Sequence, residues 1–447
     1  YETLIHQFIA DDPIESFRQR VCLTFLLHSL RPFILHVTHS RGGGTERYVQ
    51  ELVTNLSEQA DALILRVDVD GEKNVELVCE GAIKFYFKIT GDIEDLLLVL
   101  RCFRIVNIHY HHTIGSNSSL LSLPEQLNIP WNITLHDYYF ICPQIALINT
   151  KGSYCGEPDD KGCNECLKVR PAPEDIGIES WRSKYSAFLE GAQYCLAPSN
   201  DTAKRFKRYY PQAKITPIYH EESAYTPNEN ISKRQLNQTG KEKRLRIVVV
   251  GALSTMKGAD KLERMALYAK NNQLPLDFIL IGYGYRNLLV EPESNLTISG
   301  EYKEDELTGL LVQYAPDIVW FPALWPETYS YTLSACVEAG LPIVAPDLGA
   351  FPERLYQQPY SWILPWNLSV GDIAAFFLGF RGIIYASNSI AVLNHYVSAE
   401  KPKDKFFSYQ QDYFSQVDIS LWKEKGERLS RRELNSCLHT LENRIVK

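Results

Sequence analysis

Short apolar runs alternate with helix-forming stretches along this chain, break off at a polar segment, and then begin again. In the first series the runs are 33–39, 62–67, 82–89, 105–109, 131–135 and 194–197. Each has the length and content of a strand buried on both faces. Between them, Val49, Leu52, Val53 and Leu56 fall at i, i+3, i+4 and i+7, the spacing of one helix face. A further helix ends near Gly191, and Pro198-Ser199-Asn200-Asp201 is a turn and cap opening another over 202–210. Residues 221–244 are rich in Glu, Ser, Asn, Gln and Lys and are read as a linker. The second series then runs through 246–250, 278–281, 296–299, 318–321, 342–345 and 362–364, with helices over 259–271 and 332–339. Such alternation predicts an α/β chain of two doubly wound parallel sheets, that is, two Rossmann-like domains. The expected boundaries are a helical extension over 1–32, a first domain over 33–220, the linker, a second domain over 245–400, and C-terminal helices over 401–447. Phe406, Phe407, Tyr409, Tyr413 and Phe414 form an aromatic cluster in that last segment.

Composition narrows the partners. The net charge is 46 − 54 = −8, so no general basic field draws the chain to nucleic acid. A phosphate ligand has to be held by a few placed cations and backbone amides. Residues 21–35 are the most apolar N-terminal stretch, but His28, Arg31 and Pro32 interrupt them, short of the roughly 18 apolar residues of a membrane span. No signal-peptide layout is present. Ten Cys in 447 residues is not the density of a disulfide scaffold, and the expectation is a reducing, cytoplasmic setting with at most peripheral contact at the inner membrane face. With Tyr1 first and only two Met, the chain is read as one module of a longer protein.

Several residues stand where chemistry is expected. Ligands of open α/β sheets bind beyond the carboxyl ends of the strands. Glu327 follows the strand 318–321 in a loop with Trp325, Pro326 and Tyr329; its alternatives are a functional acid and a cap on the next helix, whose N-cap is Thr328 or Ser330. Lys257-Gly258 follows the strand 246–250 at a helix start, either to neutralise a diphosphate or as an ordinary surface lysine. His136-Asp137 ends the strand 131–135, and His109, His111 and His112 end the strand 105–109. Gly42-Gly43-Gly44-Thr45-Glu46 opens the first helix and leaves free amides for an anion. Cys142, Cys155, Cys163 and Cys166 share one irregular stretch: four thiolates for a tetrahedral structural Zn²⁺, ordinary buried thiols, or a redox pair. Asp68-Val69-Asp70 is a D-x-D of the kind that holds a metal-bound nucleotide diphosphate in single-domain sugar transferases; two acids near a turn are also commonplace.

Taken in order, these pieces resemble the retaining GT-B glycosyltransferases of the group 1, or family 4, type, over roughly residues 33–400. Gly42 to Glu46 resembles their GGxE loop, His136-Asp137 their N-domain histidine, Lys257-Gly258 their phosphate-binding Lys-Gly, and Glu327 through Gly349 their E-x7-E segment. The resemblance implies two Rossmann-like domains facing across a cleft, with a C-terminal helix crossing back. It implies that Glu327, His136 and Lys257 carry catalysis. Gly43, Gly44, Gly251, Lys257, Tyr329, Ser330, Tyr331 and Glu338 would bind the nucleoside-diphosphate sugar, with Glu46 and Asp137 on the acceptor side. No cofactor is required on this reading, because Lys257 and helix amides carry the diphosphate. Two positions depart from the pattern. Ala252 stands where relatives keep an Arg, and Ala335 where they keep the second Glu, with Glu338 a helical turn further on. This points to a divergent subfamily.

The implied activity is transfer of a hexosyl unit, with retention, to a glycan or lipid-linked acceptor in surface polysaccharide synthesis. The alternatives are a non-catalytic nucleotide-sugar-binding module and a nucleotide-sugar epimerase on the same fold.

Overall fold

The computed structural model describes residues 31–67, 74–79, 83–88, 91–103, 105–116, 118–218, 244–386, 436–437 and 439–440. The extension up to residue 30, the linker up to residue 243, Asp68, Asp70 and the aromatic cluster near the end lie outside them.

The first series builds one eight-stranded sheet. Its strands are β1 (Phe33–His39), β2 (Asp61–Val67), β3 (Asn74–Cys79), β4 (Ile83–Lys88), β5 (Ile105–Tyr110), β6 (Trp131–Thr134), β7 (Tyr194–Ala197) and β8 (Ile215–Pro217), in the order β4-β3-β2-β1-β5-β6-β7-β8. The helices that matter to the site are α1 (Gly44–Leu56), α2 (Ile93–Cys102), α3 (Asp160–Val169), α4 (Ile178–Gly191) and α5 (Asn200–Tyr209). β1 lies between two parallel neighbours and is buried along its length up to Thr38, as its unbroken apolar content requires. α1 covers it with Tyr48, Val49, Leu52 and Leu56, and Ser199 caps α5 by accepting from the Thr202 amide.

The expectation of a wholly parallel sheet is corrected on this side. β2–β3 and β3–β4 are antiparallel, and β3 and β8 extend the predicted set. Only residues 68–73 separate β2 from β3, too few for the dozen or more that a parallel crossover needs. The chain folds back as a meander instead.

The second series builds a six-stranded sheet from β9 (Leu245–Leu253), β10 (Leu276–Gly284), β11 (Leu296–Ile298), β12 (Ile318–Trp320), β13 (Ile343–Pro346) and β14 (Ser361–Leu364). The order is β11-β10-β9-β12-β13-β14, with every pairing parallel. Numbered within the domain this is 3-2-1-4-5-6, the Rossmann order, and its topological switch point lies between β9 and β12. The helices here are α6 (Ala259–Asn271), α7 (Leu307–Tyr314), α8 (Tyr331–Glu338), α9 (Phe351–Arg354) and α10 (Val370–Ala386).

The two sheets meet through one continuous apolar cluster that includes Tyr138 and Trp325, whose ring centroids are 6.4 Å apart edge to face. Of the C-terminal segment, Cys437 is buried in the first domain's core, its free thiol hydrogen-bonded to that of Cys102. No helix among the described residues is long and apolar enough to cross a membrane.

Two glycines allow loops to abut. A Cβ on Gly258 (φ +90°) would stand 2.3 Å from the Pro322 carbonyl oxygen, so the loops after β9 and β12 touch there. A Cβ on Gly349 (φ +67°) would stand 2.3 Å from the Glu327 carbonyl oxygen. Gly349→Ala therefore meets both a left-handed backbone and a backbone clash. It should cost about 1–3 kcal/mol or more and lower the thermal midpoint, whereas Gly379→Ala, in α10 with nothing within 4 Å of the added carbon, should not. An unchanged midpoint for Gly349→Ala would contradict this packing.

Candidate active site

A cavity opens at the switch point of the second sheet, lined among others by Gly251, Leu253, Lys257, Glu327, Ser330 and Thr332. The residues singled out after two separate strands thus converge where the topology puts a ligand. Lys257 is exposed in the turn after β9, and no ion pair engages it among the described residues. Gly258 behind it starts α6. Glu327 is half-buried, and its carboxylate accepts the Trp325 indole N–H at 3.0 Å. Its carbonyl accepts from the Ala350 amide at 2.7 Å.

Ser330 occupies the N-cap position of α8 but does not cap it by a side-chain bond, and its φ is +78°. A non-glycine residue in this region is held there by its surroundings. Arg354 of α9 supplies the hold. It donates to the carbonyls of Tyr329 (2.9 Å) and Ser330 (2.7 Å) and to the Ser334 hydroxyl (2.7 Å), and lies 4.0 Å over the buried Tyr329 ring. Nothing in the spacing of the sequence marks Arg354, which acts from a later βα unit.

Across the cleft, β1, β5 and β6 and the residues just past them bring six histidines together: His36, His39, His109, His111, His112 and His136. His36 Nδ1 and His111 Nε2 are 3.0 Å apart, and His111 Nδ1 and His136 Nε2 a longer 3.5 Å. Tyr48 stands edge-on to His136 at 4.8 Å. Burial lowers His36 and His136 to about 3 and, with help from His112, His39 to about 4. His109 and His111 also lie well below the ordinary value, first through burial. His136 is therefore a neutral hydrogen-bonding group at physiological pH and not a cation. Asp137 accepts from His112 Nε2 and the Tyr139 amide, both at 2.8 Å. Burial pushes its carboxyl up, but these partners outweigh burial and hold it low.

Gly43, with φ +80°, turns the chain into α1, and Gly44 faces the Tyr331 ring. Glu46 lies in the first turn of α1 with its carboxylate on Arg66, near the carboxyl end of β2, at 2.7 Å. Several bonds tie the two sides together. The Thr328 hydroxyl donates to the His136 carbonyl at 2.6 Å, Tyr331 to Glu51 at 2.9 Å, and the Asn200 amide to Glu353 at 2.8 and 3.0 Å. Burial raises Glu353 to about 7. Glu338 is exposed on the last turn of α8 and is not among the residues lining the cavity. Ala335, at the position of the expected second acid, is half-buried and does not line the cavity either.

The cysteine stretch is only partly irregular, because Cys163 and Cys166 stand on α3. All four thiols are unpaired and partly buried. Burial raises Cys142 to about 12 and also raises Cys155 and Cys163, which argues against a reactive redox pair. Among the described residues no three His, Cys, Asp or Glu side chains already stand in a metal-holding arrangement.

With this geometry in place, comparison with known proteins is informative. Residues 42–220 match the model of Glycosyltransferase Family 4. Among solved structures, sucrose-phosphate synthase from Thermosynechococcus elongatus superposes with a TM-score of 0.52 at 14% identity, covering 79% of this chain and 90% of that one. A glycosyltransferase from Rickettsia africae superposes at 0.50, also at 14% identity, over 92% and 97%. The fold is GT-B. No curated protein matches the chain.

The five depressed imidazoles make stability depend on pH. Their ordinary value is 6.5 and three of their native values are about 3 to 4, so below about pH 6.5 the unfolded chain binds more protons than the native one. Stability should fall as pH drops from 6.5 toward 4. Glu353, raised from 4.5 to about 7, acts in the opposite sense between those values, as one group against five. The thermal midpoint is expected to be lower at pH 5 than at pH 7.5; a midpoint that rises over that interval would contradict the buried neutral histidines.

Proposed function

We propose that the chain is a glycosyltransferase that moves a hexosyl unit from a nucleoside-diphosphate sugar to a glycan or lipid-linked acceptor, with retention and without a catalytic metal. One observation carries this reading: Lys257 and Glu327 line one cavity at the switch point of a Rossmann-ordered sheet. The match of the first domain to Glycosyltransferase Family 4 supports the reaction class.

In this reading the diphosphate lies at the mouth of β9, against Lys257 and the backbone amides around residues 329–331. The Lys257 ammonium offsets the charge that builds on the leaving diphosphate. Glu327 offsets the positive charge that develops at the sugar ring. His136, neutral at working pH, hydrogen-bonds the donor sugar from the facing domain, and the closed cleft limits hydrolysis. Glu46 and Asp137 lie on the acceptor side, and the setting is cytoplasmic surface polysaccharide synthesis.

A second reading, a non-catalytic nucleotide-sugar-binding module, is favoured by one observation. Ala252 lines the cavity where an Arg is expected, and Glu338 is exposed outside it, leaving the ribose end without an acid.

Thermal stabilisation by UDP-, GDP- and dTDP-sugars, followed by transfer assays, separates the two. A ligand at 100 times its Kd adds about 2.7 kcal/mol. Glu327→Gln should keep the stabilisation and lower kcat by about 10²–10³-fold, whereas Lys257→Ala should weaken both binding and turnover. Donor binding with no transfer or hydrolysis in the parent chain would sink the catalytic reading and leave the binding module; product formed from donor alone, without acceptor, would indicate an epimerase.

A further inference from the structure

Residues 138–170 form a knob on the first domain in which, from Cys142 onward, Pro143, Ala146, Leu147 and Leu167 are the fully buried apolar residues, the others being at most partly buried. The knob is nonetheless placed with care. The Tyr154 amide donates to the Leu324 carbonyl at 2.6 Å, and a Cβ on Gly152 would stand 2.6 Å from the Thr255 methyl. It therefore rests on both loops of the second domain that carry cavity residues, the one with Lys257 and the one with Glu327. A small, core-poor segment that must hold a fixed shape needs a cross-link of some kind.

The four cysteines are arranged to provide one. Cys142 and Cys155 each sit in a tight turn whose amide two residues on bonds back to the sulfur: Gln144 to Cys142, and Glu157 to Cys155 at 3.4 Å. In the second turn the intervening Gly156 has φ +73°. Cys163 and Cys166 lie three apart on α3 and so face the same way. Two arginines then join the turns to the helix. Arg182 of α4 donates to the Ile141 carbonyl at 3.1 Å and to the Cys163 sulfur at 3.6 Å. Arg170 donates to the Ile148 carbonyl and, at 3.5 Å, to the Cys166 sulfur. Cys142, Cys155 and Cys163 all pack against the same apolar cluster.

We propose that Cys142, Cys155, Cys163 and Cys166 together bind one structural Zn²⁺ that locks the knob against the cleft. Four thiolates around Zn²⁺ leave a net charge of −2, which the two guanidiniums offset. Binding sends the four thiol protons to solvent. The Cys163 S–H, which donates to the Pro158 carbonyl at 3.6 Å, gives up that contact, and its sulfur turns about χ1 toward the metal. A closed four-sulfur shell has no open position and no part in the transfer chemistry. Its role is to set where residues 152–154 press on the loops of Lys257 and Glu327.

Metal analysis of the full chain purified under reducing conditions tests this directly. One Zn²⁺ per chain is expected, and it should be lost in the Cys163→Ser/Cys166→Ser variant but kept in Cys336→Ser, whose thiol is buried in the second domain. Co²⁺ titration of the chelator-treated parent chain is the second measurement, and it does not depend on the double variant folding. It should produce the thiolate-to-cobalt charge-transfer and tetrahedral visible bands, and Zn²⁺ should bleach them. Absence of zinc together with absence of cobalt bands would overturn the proposal, as would iron–sulfur absorption or a disulfide among the four. Neither readout uses donor or acceptor, so the result is independent of the transferase reading.

Discussion

The Thr328 hydroxyl bonded to the His136 carbonyl is the contact on which the two-sided site depends. It joins the residue after Glu327 to the end of β6, so the acid on one sheet and the histidine on the other are held in one frame. Gly349 makes the frame possible by letting the chain after β13 pass directly under the Glu327 backbone. Arg354 then holds the next carbonyls in the strained turn before α8. Other links, Tyr331 to Glu51, Asn200 to Glu353 and Tyr154 to Leu324 among them, also join the domains, but the Thr328 bond is the one that reaches the His136 backbone.

Much of the architecture was legible because both sheets are interior. Strands buried on two faces need unbroken apolar runs, and those runs placed β1, β5, β6, β7 and β9 to β14 close to where they lie. Glycine turns and caps located the starts of α1, α5 and α6 for equally local reasons. Strand order was not legible, since it depends on which runs pair and not on what they contain. The β2–β3–β4 meander escaped notice because β3 mixes Asn and Glu into its run; Glu76 is buried there only because Arg66, Lys84 and Tyr86 meet its carboxylate.

Within the candidate site, positions just past the end of a strand could be placed from the sequence and positions that arrive from a distance could not. Lys257, Glu327 and His136 each follow an apolar run directly. Arg354 reaches the Ser330 turn from a later unit, and Glu353 reaches α5 from the other domain; only the folded chain brings them into view. The expected acid on α8 shows the converse. Glu338 satisfies a motif loosely in sequence, but a turn of helix carries it to the outer surface, and neither it nor Ala335 lines the cavity.

The row of imidazoles has a consequence for specificity. A neutral imidazole carries a single N–H, so His36, His111 and His136, linked nitrogen to nitrogen, can share protons in only two self-consistent ways. In one, every ring passes its hydrogen toward the cleft and the outer nitrogen of His136 is a donor. In the other, every hydrogen points inward and that nitrogen is an acceptor. Whether that nitrogen donates or accepts is thus settled three rings deep, at a β1 side chain.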